Sequence, residues 1–153
     1  MNHRDNSSRG PASDGHDAGH DDGHDDGHDD GHDTMRWVTI DHVQLAMPAG
    51  GEDAARDFYV GVLGFTELAK PAALAVRGGC WFVAGSVQVH LGVEAEFRPA
   101  RKAHPALVVR GLREFVESSG LAVRWSEEIP GTMRCHTDDV FGNRLELIDE
   151  RRE

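Results

Sequence analysis

The feature that most constrains the fold is an order of elements that occurs twice. From Trp37 onward, short alternating apolar runs are broken by single helical stretches. The order is strand, helix, then three or so strands, once over about residues 37–94 and again over about 102–149. In the first copy Val43, Leu45 and Met47 read as a strand. Residues 52–63 read as a helix, since Ala55, Phe58, Tyr59, Val62 and Leu63 form one apolar stripe. Glu52 and Asp53 suit its first turn and Gly64 its end. Strands are expected at about 65–69, 73–77, 80–84 and 87–93, punctuated by Gly78, Gly79 and Gly85. In the second copy a strand spans 104–109, and Leu112, Phe115 and Val116 mark a short helix ending at Gly120. Further strands are expected at about 122–126, 132–138 and 144–148. One copy alone leaves a sheet face uncovered; two can share a core and curve their other faces into a cleft. The expected class is α+β, two βαβββ modules forming an open cleft of mixed sheet.

Alternation also says which residues face away from the helices, because side chains at i and i+2 share a strand face. Opposite Val43, Leu45 and Met47 lie His42, Gln44 and Ala46. Opposite Val87, Val89, Leu91 and Val93 lie Gln88, His90 and Glu94. Opposite Leu107 and Val109 lie His104 and Ala106, and opposite Leu145 and Leu147 lie Arg144 and Glu146. His42 and His104 occupy first strands; His90 and Glu146 occupy last strands. Pseudo-twofold symmetry predicts that these four meet in the cleft, a donor set suited to zinc, nickel, manganese or iron(II). His136 has no counterpart in this scheme and reads as structural or cavity-lining.

Residues 1–34 are of another kind. They carry ten Asp against two Arg, so most of the chain's net charge of -11 lies there, and His16, His20, His24, His28 and His32 recur every four residues. A segment with so few apolar side chains is expected to be disordered, as a solvated tail or one that gathers metal. Another reading starts translation at Met35. The globular part, 35–153, is then close to neutral and has no basic stripe, which argues against nucleic acid. No apolar run approaches the roughly 18 residues that cross a bilayer, and the N-terminus lacks a signal peptide's apolar stretch. Cys80 and Cys135 are too few for a disulfide framework, so a reduced, cytoplasmic setting with inert thiols is expected.

The stretches IDHVQLAMP, DFYVGVLGF, VQVHLGVE, HPALVV and DDVFGNRLELID resemble the vicinal oxygen chelate superfamily over residues 37–149. That group includes type I glyoxalases, fosfomycin-resistance thiol transferases, extradiol dioxygenases and bleomycin-binding proteins. The resemblance implies two βαβββ modules around a divalent metal, with His42, His104 and Glu146 on its ligand positions. His90 stands where type I glyoxalases place a glutamate ligand. It implies a metal-dependent enzyme on a small-molecule substrate, a glyoxalase-like lyase or isomerase or a thiol transferase, stabilising an enolate or oxyanion. The alternatives are a drug-binding protein of the bleomycin-resistance type and a nonheme iron(II) dioxygenase. Glu146 and His90 are the candidate proton-transfer residues; Gln44, Gln88, Trp81 and Arg134 are candidate substrate contacts, with Phe82 beside Trp81. Loops 95–102 and 127–131 are expected to set specificity. Pro105 suits an edge strand, and a homodimer is expected, partly to cover sheet edges.

Overall fold

The hairpin Trp81–Val93 organises the first module. Gly85 and Ser86 make a two-residue turn, and Gly85 takes φ 58°, the positive value that such a turn needs. The computed structural model describes residues 35–150, so the Asp/His-rich segment of residues 1–34 lies outside the described residues. The chain divides between Trp37 and Val38, and the unit from Val38 onward carries all the elements below.

The first module runs β1 (Val43–Met47), α1 (Glu52–Arg56), β2 (Thr66–Leu68), α2 (Ala72–Ala75), β3 (Trp81–Ala84) and β4 (Val87–Val93). The second runs β5 (Ala106–Val109), α3 (Leu112–Ser119), β6 (Arg124–Ser126), β7 (Arg134–Asp138) and β8 (Arg144–Asp149). Each module builds one four-stranded sheet, ordered β1-β4-β3-β2 and β5-β8-β7-β6. The first strand pairs parallel with the last, across the helical crossover, and the other pairs are antiparallel. These are the two βαβββ modules that the duplicated pattern predicts.

Two elements differ from expectation. Residues 73–77 do not form a strand; α2 occupies Ala72–Ala75. Pro71 precedes it at φ -53°, and an Ala-Ala-Leu-Ala run favours helix over strand. The predicted helix over 52–63 is α-helical only to Arg56 and continues as π-helix over Asp57–Val62, with Leu63 N–H donating to the Phe58 carbonyl at 3.0 Å. Gly79 permits the return into β3. Its φ is 79°, and an added Cβ would fall 2.1 Å from the Leu91 carbonyl oxygen.

The helix-side faces of both sheets merge into one core. Met47, Tyr59, Phe82, Val89 and Leu91 from the first module pack with Leu107, Leu112, Cys135 and Leu147 from the second. Each large apolar side chain so buried contributes about 1.5–3 kcal/mol. A polar bridge crosses the same boundary. Tyr59 Oη donates to buried Asp139 at 3.0 Å, and Asn143 Nδ2 donates both to Asp139 and to the Ala46 carbonyl of β1.

Both cysteines are free and fully buried, as the apolar strands around them predict. Burial, aided by the charge of Glu67, pushes the Cys80 thiol up to about 11. The thiolate is the reactive form. At pH 8 the folded chain should therefore be inert to a thiol reagent such as DTNB and should react fully in denaturant; stoichiometric labelling within the mixing time in native buffer contradicts this.

Candidate metal and substrate site

Burying the apolar faces turns the polar strand faces away from the core, and each carries a histidine pair or a histidine–carboxylate pair. In the first module Gln44 and Trp81 flank His90 on the neighbouring strands. His42, just before β1, stacks on His90 with ring centroids 3.9 Å apart, and Trp81 stacks on His90 at 4.3 Å. Lys70 Nζ lies 5.9 Å from the Trp81 ring centroid. Nδ1 of His42 is 2.6 Å from Asp41 Oδ1 and donates there.

His90 is 6% exposed, and its Nε2 is buried without a hydrogen-bond partner among the described residues. Burial, together with the charge of His42, lowers its pKa from the ordinary histidine value. The ring is thus held neutral, with a nitrogen that has no protein partner.

In the second module Ala106 and His136 flank Glu146. His104 lies two residues before Ala106, as His42 lies two before Gln44, so the modules match residue for residue. His104 Nε2 is 3.3 Å from Glu146 Oε2, and Arg134 donates to Glu146 Oε1 at 2.6 Å and to Glu128 at 2.9 Å. Burial pushes the Glu146 carboxyl up, but the hydrogen bonds from Arg134 and His104 outweigh it and hold the pKa below the usual value. His104 and His136 meet edge to face at 5.3 Å. Among the described residues, one set of three potential metal donors lies within 4.8 Å of one another: His104, His136 and Glu146.

The structure therefore places the predicted quartet as two pairs. His42 and His90 stack on one sheet, His104 and Glu146 touch on the other, and His136, expected to be structural or cavity-lining, joins the second pair. Trp81 lies against His90, and Arg134 is engaged by two carboxylates. Gln44 fills the space that Gly92 leaves, where a Cβ would come within 2.9 Å of its Nε2. Gln88 pairs with Val83 on the same strand as His90. Phe82 is wholly buried in the core and lines no cleft. Between the edge strands β1 and β5 runs an apolar groove of about 630 Å³, lined by Val43, Leu45 and Pro105 and reaching Gln44 and His104.

No family model matches the sequence, and no curated protein matches it. Solved structures do. The chain superposes on a protein assigned to the glyoxalase family from Bacillus anthracis with TM-score 0.72 and 40% identity, over 76% of this chain and 99% of that one. The chain belongs to the glyoxalase family of the vicinal oxygen chelate superfamily. More distant structures share the glyoxalase-family fold alone. One is the fosfomycin resistance protein FosX from Listeria monocytogenes, with TM-score 0.58 and 10% identity over 76% of this chain and 96% of that one. Another is lactoylglutathione lyase from Agrobacterium tumefaciens, with TM-score 0.54 and 18% identity over 75% and 96%. No helix among the described residues of this glyoxalase-family chain is long and apolar enough to cross a membrane.

Proposed function

We propose that this glyoxalase-family chain is a divalent-metal-dependent enzyme acting on a small molecule with neighbouring oxygen donors, as a lyase, isomerase or transferase. One observation carries the reading. At equivalent places in the two modules, the histidine just before the first strand touches its partner on the last strand: His42 on His90, and His104 on Glu146. A structural role would need no such matched pairs on outward faces.

The donor chemistry fits a cation. His104 Nδ1–H donates to the Lys102 carbonyl at 2.8 Å, which turns Nε2 toward Glu146. Nε2 faces Glu146 Oε2 at 3.3 Å, and a cation bound between them in place of a proton would satisfy both groups. The buried, unpartnered Nε2 of His90 is a further open donor. A zinc, nickel, manganese or iron ion held by this set would supply a Lewis acid for an oxyanion or enolate.

The chain's own groups divide the remaining work. Glu146 stays ionised, with Arg134 fixing one oxygen. His90, neutral and braced between His42 and Trp81, offers Nε2 as a fixed lone pair. Gln44 and Gln88 orient substrate from the same strands. Because the helix-side faces are consumed in the shared core, the two pairs complete one site when a second copy supplies the missing half. The groove between β1 and β5 gives that copy an apolar seat. A homodimer follows, with a small molecule as its partner and the cytoplasm as its expected setting.

The test uses the full-length chain with His3, His16, His20, His24, His28 and His32 replaced by asparagine, so that bound metal reports on the fold. Cobalt(II) should give a visible d–d spectrum that a strong chelator removes. A metal-loaded sample should turn over a hemithioacetal or an epoxide with a thiol; turnover of a catechol with dioxygen instead would indicate the dioxygenase alternative. No cobalt spectrum under any loading condition removes the reading. Ligand binding unaffected by chelator would instead indicate a binding protein.

A further inference from the structure

We infer that His136 is a metal ligand of this chain, on the same cation as His104 and Glu146. The inference rests on the metal-dependent reading and names a ligand beyond the His42, His104 and Glu146 set that the family resemblance implies.

Distances favour it. Ligands about 2.1 Å from a tetrahedral ion stand about 3.4 Å from each other. His104 Nε2 and Glu146 Oε2 are already 3.3 Å apart, long for a charge-assisted hydrogen bond but suited to two ligands of one ion. A nitrogen of His136 lies within 4.8 Å of a ligand atom of each residue, so a side-chain adjustment of about 1.5 Å or less brings it to ligand distance.

The surroundings favour it as well. Arg134 occupies Glu146 Oε1, which leaves Oε2 as a single donor and creates room for a third protein ligand. His136 pairs directly with Glu146 across the ladder, on β7, which is hydrogen-bonded on both sides. Cross-strand neighbours of this kind hold their Cβ atoms about 5 Å apart, so the ring is aimed by rigid backbone rather than by a loop. No hydrogen bond among the described residues competes for its ring nitrogens. It is half-buried.

The two modules then have different tasks. The position equivalent to His136 in the first module is Trp81, which pairs with His90 just as His136 pairs with Glu146. Indole offers no ligand atom, so at this position the first module presents a ring stacked on His90 where the second presents a donor.

The experiment compares three variants in the full-length chain with its tail histidines replaced: His136→Gln, His136→Asp and His104→Gln. Cobalt(II) affinity is read by competition with a chromophoric chelator, coordination by the d–d spectrum, and folding by circular dichroism. His136→Gln should lose at least about tenfold in affinity and shift the spectrum. His136→Asp, which keeps a donor, should recover much of the affinity with a spectrum of its own. If His136→Gln is not folded, the His136→Asp spectrum decides: a band identical to that of the unsubstituted residue overturns the inference. Unchanged affinity and spectrum in folded His136→Gln, with both lost in His104→Gln, also overturn it while leaving the metal-dependent reading intact. No cobalt uptake by the parent chain defeats both.

Discussion

Replacing Glu146 by glutamine should reduce divalent-metal affinity by about two orders of magnitude or more, beyond the ten- to hundredfold usual for an outer-shell change. The amide keeps the volume of the side chain and removes its charge. Glu146 Oε2 faces His104 Nε2, and its Oε1 binds Arg134 at 2.6 Å. The substitution thus removes the one anion of the donor set. It also leaves the Arg134 guanidinium, 11% exposed, without the charge on its more buried side. Glu128 remains as a partner but is 85% exposed. The amide oxygen can still accept a hydrogen bond from Arg134, so the loss of stability should be only about 1–3 kcal/mol. The measurement is a chelator-competition titration beside a urea melt on the chain with its tail histidines replaced. Metal affinity within threefold of the parent, in a folded variant, would contradict the assignment of Glu146 as a ligand.

Asp139→Ala should be the most destabilising single change outside the site, costing about 3–5 kcal/mol. Asp139 is 5% exposed and accepts from Tyr59 Oη, from the backbone N–H groups of Phe141 and Asn143, and from Asn143 Nδ2. Tyr59 is fully buried, so its hydroxyl has no water to turn to. Burial, with the charge of Asp139 beside it, pushes the Tyr59 phenol far above its ordinary pKa, and the hydroxyl stays a proton donor at any working pH. The same carboxylate shapes the turn between β7 and β8 and, through Asn143, reaches the Ala46 carbonyl of β1. One truncation therefore leaves several buried donors unpaired and loosens the seam between modules. Urea unfolding should show a lower midpoint with an unchanged slope. A shift worth less than about 1 kcal/mol would mean that the seam depends on packing alone.

The site-bearing strands were legible because their apolar and polar residues alternate cleanly. Val87, Val89, Leu91 and Val93 define one face, so His90 is assigned to the other without knowing what either face meets. His136 was harder to read, and for a specific reason. The symmetry of first and last strands does not include the third strand of each module, where His136 lies. The signal was nonetheless present. The turn around Phe141 centres a hairpin in which His136 lies opposite Glu146, just as Gly85 and Ser86 centre one in which Trp81 lies opposite His90. The stretch 73–77 misled because its alternation is too short to outweigh the helix preference of alanine after proline.

The sequence by itself determined the duplicated βαβββ order, the core-facing side of each main strand and the placement of His42, His90, His104 and Glu146 on the opposite side. All of these follow from a period of two along a strand, a local property of the chain. Only the tertiary structure decided which of those residues touch. Pairing across strands and packing between sheets depend on register and on the shared core, and neither is written in any single segment. Hence the quartet resolves into His42 with His90 and His104 with Glu146, and His136 enters through its strand partner.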